Sequence, residues 1–250
     1  MKTIALYHIK GGVGKTAAAV NLAYLAARDG ARTLICDLDP QSATTFYFRV
    51  KPKFKSGTRG FIKGGEFLEK NIKGTDYPNL DLLPGDLAFR NLDIAFDRHK
   101  KPTRRLRKAL GSLETAYDYI FLDCPPTITL LAENIFNAAD MVLVPVIPTT
   151  LSMRSYLQLR RFFKNGHFEK DKLLAFFSMV ESRKRLHREV MGQLRQRFNG
   201  VLEGVIPYLS DVERMGIHRE PVCATLNSSM ASHAYQKLWR EVEGKLRLMG

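Results

Sequence analysis

Apolar residues follow two rhythms along the chain. Short continuous runs at 3–9, 33–36, 80–83, 119–122, 141–146, 173–177 and 205–207 read as buried strands. Between them, apolar residues recur three or four positions apart, the spacing of one helix face. This predicts helices over 17–28, 87–96, 102–113, 151–164, 186–198 and 232–248. In the first, Ala19, Val20, Leu22, Ala23, Leu25 and Ala26 share a face, and Gly30 stands where a C-cap belongs. In the third, Leu106, Leu110 and Leu113 point inward. In the last, Tyr235, Leu238, Trp239, Val242 and Leu246 form a stripe expected in the core rather than in a membrane. Strands alternating with helices predict an α/β fold: a doubly wound, mostly parallel sheet with helices on both faces. The expected organisation is a single domain over 1–250. It carries a basic insertion around 46–79, too short for its own core, with a short helix within 61–72.

The junction of the first strand and first helix carries chemistry. Residues 10–16 read Lys-Gly-Gly-Val-Gly-Lys-Thr. Strand, glycine loop, Gly-Lys-Thr and helix form the context of a phosphate-binding loop. Gly11, Gly12 and Gly14 let backbone N–H groups approach an anion, with Val13 between them, and the helix N-terminus adds partial positive charge. Lys15 is placed to reach the β- and γ-phosphates, and the Thr16 hydroxyl to ligate Mg²⁺. ATP and Mg²⁺ are the expected cofactors. Further on, 119–123 is an apolar run ending in Asp123, the pattern of a carboxylate that holds Mg²⁺. Cys124-Pro125-Pro126 cannot continue the strand and starts a loop suited to sensing a γ-phosphate. Asp37-Leu38-Asp39-Pro40-Gln41 ends the second strand on the side where α/β sheets bind ligands.

Lys10 is a second lysine beside the one the common loop needs. With it, the sequence resembles the deviant Walker A ATPases, the ParA/MinD family, whose loop reads Lys-Gly-Gly-x-Gly-Lys-[Ser/Thr]. The likeness extends over essentially the whole chain and is densest at 3–41 and 119–146, where Asp-x-Asp-Pro-Gln and Asp-Cys-Pro-Pro also match. It implies that Lys10 reaches phosphates across a dimer interface, that Asp39 positions the attacking water, and that Asp37 supports either the Mg²⁺ shell or the loop. An Asx turn before Pro40 is the structural alternative for Asp39. Segments after the late strands carry adenine and dimer contacts in the family, which nominates Ser178, Met179, Pro207 and Tyr208 for the base pocket. Ala17 departs from the family, where many members have a second Thr; the position stays in the nucleotide-binding loop but offers no hydroxyl.

Composition narrows the setting. The chain has 250 residues, 45% hydrophobic and 26% charged. No apolar run reaches the roughly 20 residues of a membrane span. No signal-peptide pattern opens the chain, and three cysteines (Cys36, Cys124, Cys223) without metal-type spacing suit reduced thiols, so a cytoplasmic protein is expected. The net charge of +14 is uneven. Residues 49–63 hold six Lys/Arg and no acid, 98–108 hold seven and none, and 151–200 hold twelve against four acids, so the remainder is acidic. Basic clusters on an acidic body point to a polyanionic partner. On the 186–198 helix, Leu186, Val190, Leu194 and Phe198 fall on one side, with Arg197 among them. Arg185, Arg188 and Arg195 fall on the other, with Arg183 and Lys184 just before. The three outward arginines are the expected DNA contacts, with Arg160, Arg161 and the 49–63 and 98–108 stretches behind them.

The resemblance therefore implies a ParA-type ATPase: an ATP-bridged homodimer that binds DNA non-specifically and positions a cargo on the nucleoid. A plasmid, a chromosome or a protein body such as a carboxysome would serve. A ParB-like or adaptor protein would stimulate hydrolysis. The chain starts at the first strand, as in the small ParA-like branch without a helix-turn-helix domain. A MinD-like membrane-surface regulator is the alternative, weakened by the lack of a separate amphipathic tail, and no membrane partner is expected. A reductase like the nitrogenase iron protein would need cysteines placed for a cluster. A scaffold without hydrolysis would not need Asp39 and Gln41.

Overall fold

The computed structural model describes residues 1–249 except 53 and 56, so Lys53 of the basic 49–63 stretch lies outside the described residues. The strands are β1 (Lys2–Leu6), β2 (Thr33–Asp37), β3 (Lys73–Gly74), β4 (Leu80–Leu83), β5 (Tyr119–Asp123), β6 (Met141–Val146), β7 (Leu173–Val180) and β8 (Val201–Pro207). The helices of the first half are α1 (Lys15–Arg28), α2 (Ala43–Tyr47), α3 (Gly57–Lys63), α4 (Glu66–Glu69), α5 (Leu92–Asp97) and α6 (Arg105–Gly111). Those of the second half are α7 (Leu130–Ala138), α8 (Thr150–Asn165), α9 (Arg185–Arg197), α10 (Ser210–His218), α11 (Val222–Thr225) and α12 (Met230–Leu248).

The sheet has eight strands in the order β3-β4-β2-β5-β1-β6-β7-β8. All pairs are parallel except β3 with β4. The central strands are apolar throughout because both faces are covered. In β1, Ile4 and Leu6 join one core with α1 and α12, while Ala5 joins the other with α6, α7, α8 and α9. The α12 stripe expected from the sequence is buried as read. The end of α1 is also as read: Gly30 takes φ +98°, and N–H groups of Gly30 and Ala31 return to the Ala27 and Ala26 carbonyls.

The strand expected over 3–9 stops at Leu6. The Tyr7 N–H still bonds the Leu143 carbonyl at 3.0 Å, but the chain then leaves the sheet to form the glycine loop. The helices expected at 87–96 and 102–113 are shorter, each entered through a 3₁₀ turn, Leu87–Asn91 and Pro102–Arg104. The 46–79 segment shares the main core. Phe54, Phe61, Ile62 and Leu68 pack in the cluster that holds Leu106 and Leu110. Four helices, α2, α7, α10 and α11, and the short β3 had no counterpart in the sequence pattern.

Two local arrangements organise the rest. Buried Asn134 on α7 accepts from the Arg105 and Leu106 N–H groups at 2.8 and 3.1 Å and donates to the Pro102 and Leu130 carbonyls. It thereby satisfies the first turn of α6, which no side chain of its own caps. At the sheet edge, two successive N–H groups of β8, Glu203 and Gly204, donate to the Glu241 carboxylate of α12 at 2.9 and 2.8 Å. The Glu203 carbonyl accepts from Arg195 at 3.2 Å. Among the described residues, no helix is long and apolar enough to cross a membrane.

Asn134→Ala should destabilise the fold by about 2 kcal/mol or more, because two N–H groups of α6 lose their acceptor inside the protein. Urea denaturation should show a lowered midpoint with an unchanged slope. A change below about 0.5 kcal/mol would mean that α6 does not depend on α7 for its N-terminus.

Candidate nucleotide-binding site

The ends of β1, β2 and β5 meet in register. Leu6 lies opposite Asp123, and Asp123 opposite Asp37. The glycine loop rises from β1 over this row and enters α1. Gly12 and Gly14 take φ +70° and +91°, conformations that disfavour any side chain. Gly11 and Gly12 are exposed, whereas Val13 is fully buried and pins the loop to the core. No side chain caps α1 and no acid stands in its first turn, so the N–H groups there are free to meet an anion. Ala17 is partly buried against the α1-side core.

The two lysines of the loop diverge. Lys15 is buried, its Nζ 3.5 Å from the Lys10 carbonyl of its own loop. Burial lowers its pKa, opposed by Asp123, Cys124 and Asp39. A phosphate at this point would restore the charged form. Lys10 is exposed. Its N–H donates to His8 Nδ1 at 2.9 Å, which assigns the imidazole proton to Nε2. His8 is fully buried, and among the described residues its Nε2 has no partner. The pattern of residues 3–9 concealed His8 within an apolar run, and its position two residues before Lys10 was the signal available.

Asp37 and Asp123 are buried side by side. Burial raises both pKa values, and Asp123 adds repulsion at Asp37. Asp37 Oδ2 accepts from the Thr45 N–H and hydroxyl at 2.8 and 2.6 Å, and its Oδ1 from the Asp39 N–H at 3.3 Å. The Thr45 hydroxyl in turn accepts from the Gly85 N–H. Both oxygens of Asp37 are thus engaged by protein groups, and it holds the Asp39 loop. Asp123 differs. Its Oδ2 accepts from Thr44 at 2.8 Å, but among the described residues its buried Oδ1 has no partner. Thr16 stands near enough to favour the ionised carboxylate. An oxygen-bound divalent cation fits this orphaned oxygen with the Thr16 hydroxyl. Thr44 and Thr45, which fasten the pair, were not singled out in the sequence.

Asp39 accepts from the Gln41 N–H at 2.9 Å, forming the Asx turn expected as the structural alternative. The turn leaves its other oxygen open, and its charge acts on both Lys15 and Asp123. The Tyr7 hydroxyl donates to the Thr127 carbonyl at 2.6 Å and so ties the loop after Cys124-Pro125-Pro126 to the end of β1.

Of the four base-pocket candidates, two border the loop. A methyl added to Gly14 would meet Ser178 Oγ at 2.8 Å and Met179 Cε at 3.9 Å. Met179 holds φ +53°, uncommon for a side chain of its size. Pro207 pairs with Val180 at the end of β8, and Tyr208 bonds Val180 through its N–H and Glu213 through its hydroxyl.

On α9 the inward face is rotated from the expected one. His187, Val190 and Leu194 are buried, whereas Leu186 is exposed. His187 Nδ1 accepts the Glu181 N–H at 3.1 Å, which draws a polar residue inward and turns Leu186 out. Arg197, read as lying on the apolar side, is exposed with its guanidinium 5.3 Å from the Phe198 ring. Arg185 pairs with Glu189 at 2.7 Å, and Arg195 is half-buried against Glu203. Arg188 bonds the Ser182 carbonyl at 3.0 Å.

A mostly parallel sheet, a glycine loop over its strand ends and an uncapped helix N-terminus define the P-loop nucleotide-binding class. The chain belongs to the AAA_31 family, described as an AAA domain, whose model matches residues 1–176. It is 29% identical to the chromosome partitioning protein ParA of Caulobacter vibrioides, over 99% of this chain and 96% of the relative. Identity to the sporulation initiation inhibitor protein Soj of Bacillus subtilis is also 29%, over 96% of this chain and 98% of the relative. Among solved structures, cobyrinic acid a,c-diamide synthase from Mycobacterium smegmatis with bound ATP analog and magnesium superposes with a TM-score of 0.82. It is 25% identical and covers 96% of this chain and 93% of its own. The resemblance to the ParA/MinD family and the expected fold class are both borne out.

His8 gives the site a pH signature. Burial first, then the Lys15 charge, lowers its pKa from 6.5 to about 4. Between those values the unfolded chain takes up a proton that the folded chain refuses, so folding stability falls as pH drops through this window. The loss attributable to His8 is about 3 kcal/mol. Urea curves of wild type and His8→Gln should diverge by that amount between pH 7 and pH 4, the variant losing less. Parallel curves would show that His8 takes up its proton as readily in the folded state as in the unfolded one.

Proposed function

We propose that this chain is a partition-type ATPase that works as an ATP-bridged dimer. The observation that carries the reading is the divergence of Lys15 and Lys10. One lysine is buried against its own loop, and the other is exposed on the same loop. A buried lysine answers the phosphates of its own nucleotide. An exposed one, its backbone fixed by His8, is available to phosphates held by a second copy.

In this reading ATP lies along the glycine loop, with its phosphates on the N–H groups of α1 and on Lys15. Mg²⁺ is held by the Thr16 hydroxyl and the open oxygen of Asp123, and it supplies charge neutralisation at the β- and γ-phosphates when bound. Asp37 keeps the Asp39 turn in place. The open oxygen of Asp39 orients the water for attack on the γ-phosphate. Ser178 and Met179 border the base side of the loop, with Pro207 and Tyr208 further along the same strand ends. The name of the Caulobacter relative, a chromosome partitioning protein, supports partition as the process. The partners in this reading are non-specific DNA of the nucleoid and a ParB-like or adaptor protein that stimulates hydrolysis. Arg185, Arg188 and Arg195 remain the DNA contacts nominated on α9.

Three variants separate the steps. Lys15→Ala should lose ATP binding by calorimetry. Asp39→Ala should keep binding but lose at least about a hundredfold in single-turnover hydrolysis. Lys10→Ala should bind ATP yet scatter light as a monomer with a non-hydrolysable analogue. Wild-type ATP affinity in Lys15→Ala would overturn the loop assignment, and a normal dimer of Lys10→Ala would remove its role across the interface. A gel shift on random duplex should require ATP; equal binding with ADP or without nucleotide would sink the nucleotide-switched DNA reading.

A further inference from the structure

The nucleotide loop sits at the C-terminal ends of the strands. At the opposite end, where β7 begins with Leu173, a cavity of about 420 Å³ opens between the last turns of α8 and α9. Arg160, Arg161, Lys164, Lys170 and Arg197 line it. Among the described residues, none of the five has a carboxylate within 4.0 Å, whereas Lys184, Arg185 and Arg195 at α9 are each paired with a glutamate. Of the three arginines ranked first from the sequence, Arg185 and Arg195 are thus paired within the chain, whereas the cavity cations, with Arg160 and Arg161 of the second rank among them, have no such partner among the described residues.

The site is also shaped. The Phe198 ring carries the Arg160 guanidinium at 4.1 Å and that of Arg197 at 5.3 Å. Arg160 donates to the hydroxyl of fully buried Tyr156 at 3.2 Å, so its fork has a fixed direction. A ring that gathers two guanidiniums holds like charges close together, which a shared anion would relieve. The opposing charges are fewer. Asp171 lines the adjoining space, and the C-terminal ends of α8 and α9 contribute about half a negative charge each. The balance stays strongly positive.

The cavity does not stand alone. A second, of about 330 Å³, is lined by Arg104, Arg107 and Lys172, with Glu169 beside them. A third, of about 350 Å³, is lined by Arg59, Lys63, Arg98 and Arg105. The three basic runs, far apart in sequence, thus meet on one helical layer of the sheet.

We propose that the cavity around Arg160, Phe198 and Arg197 is a second anion site, separate from the nucleotide loop, that takes a chain of phosphates. Free polyphosphate and a nucleic-acid backbone both present that chemistry. The proposal rests on the partition reading only for the choice of duplex as one probe. The test uses protein saturated with ADP, so that the nucleotide loop is filled, and titrates sodium tripolyphosphate by calorimetry. The expected result is one site per chain whose affinity falls with added salt. Arg160→Ala with Arg197→Ala should weaken it at least about tenfold. Lys170→Ala, at an exposed position, should weaken it less and guards against a double variant that fails to fold. Arg160→Lys keeps the charge but loses the planar fork, and should fall between.

Gel shifts on random duplex with ATP identify the source. If the backbone of DNA is the occupant, the double variant loses more duplex binding than Arg185→Ala with Arg188→Ala. If duplex binding is unchanged while tripolyphosphate is lost, the occupant is a free polyphosphate. If no protein binds duplex, the DNA reading fails while the tripolyphosphate result still decides the site. No tripolyphosphate binding to the ADP-saturated wild type, or binding that none of the variants alters, overturns the proposal.

Discussion

Everything at the nucleotide site depends on two carboxylates held in adjacent register. Parallel pairing of β2 with β5 brings Asp37 and Asp123 side by side at the buried strand ends. Two like charges there would repel and would lack water. The chain answers with a Thr-Thr pair at the start of α2: Thr44 bonds one acid and Thr45 the other. Asp37 is left with both oxygens engaged, while Asp123 keeps one oxygen open beside Thr16 and within the field of Lys15. The asymmetry divides the work. One acid holds the neighbouring loop, and the other stays ready for a cation.

The glycine loop depends on similar support from below. Val13 anchors it, His8 takes the Lys10 N–H, and Gly14 lies where even a methyl would strike Ser178. The first two contacts are local to the loop, and the third comes from β7, which parallel pairing through β6 brings close to β1. The loop is therefore preorganised by its own residues and by the sheet together, as a site that must place charge accurately requires.

What the sequence made legible follows from how local each signal was. The central strands were plain because burial on both faces leaves no alternation to misread, while exposed β3 was missed and half-exposed β8 was seen only at its end. The loop was plain because its glycines, lysines and Thr16 are contiguous. The α6–α7 pair was hidden because Asn134, a polar residue, holds it together by bonds to Arg105 and Leu106 nearly thirty positions away. The phase of α9 was misjudged for the same kind of reason. A helical wheel assigns polar residues to water, but His187 has a partner in the Glu181 N–H and turns inward, which carries Leu186 and Arg197 outward. The charge runs were visible as composition, yet which cations are spent on internal glutamates required coordinates.

The outer strand β8 has a consequence for assembly. At Glu203 both its N–H and its carbonyl are taken by side chains, the first by Glu241 and the second by Arg195, and the next N–H also goes to Glu241. An edge strand ordinarily offers such groups to any passing strand. Here a second molecule meets a carboxylate and a guanidinium in place of an open ladder. Lateral fusion of two sheets along this margin is discouraged by the backbone's own hydrogen-bond accounting, which directs self-association toward other faces of the molecule.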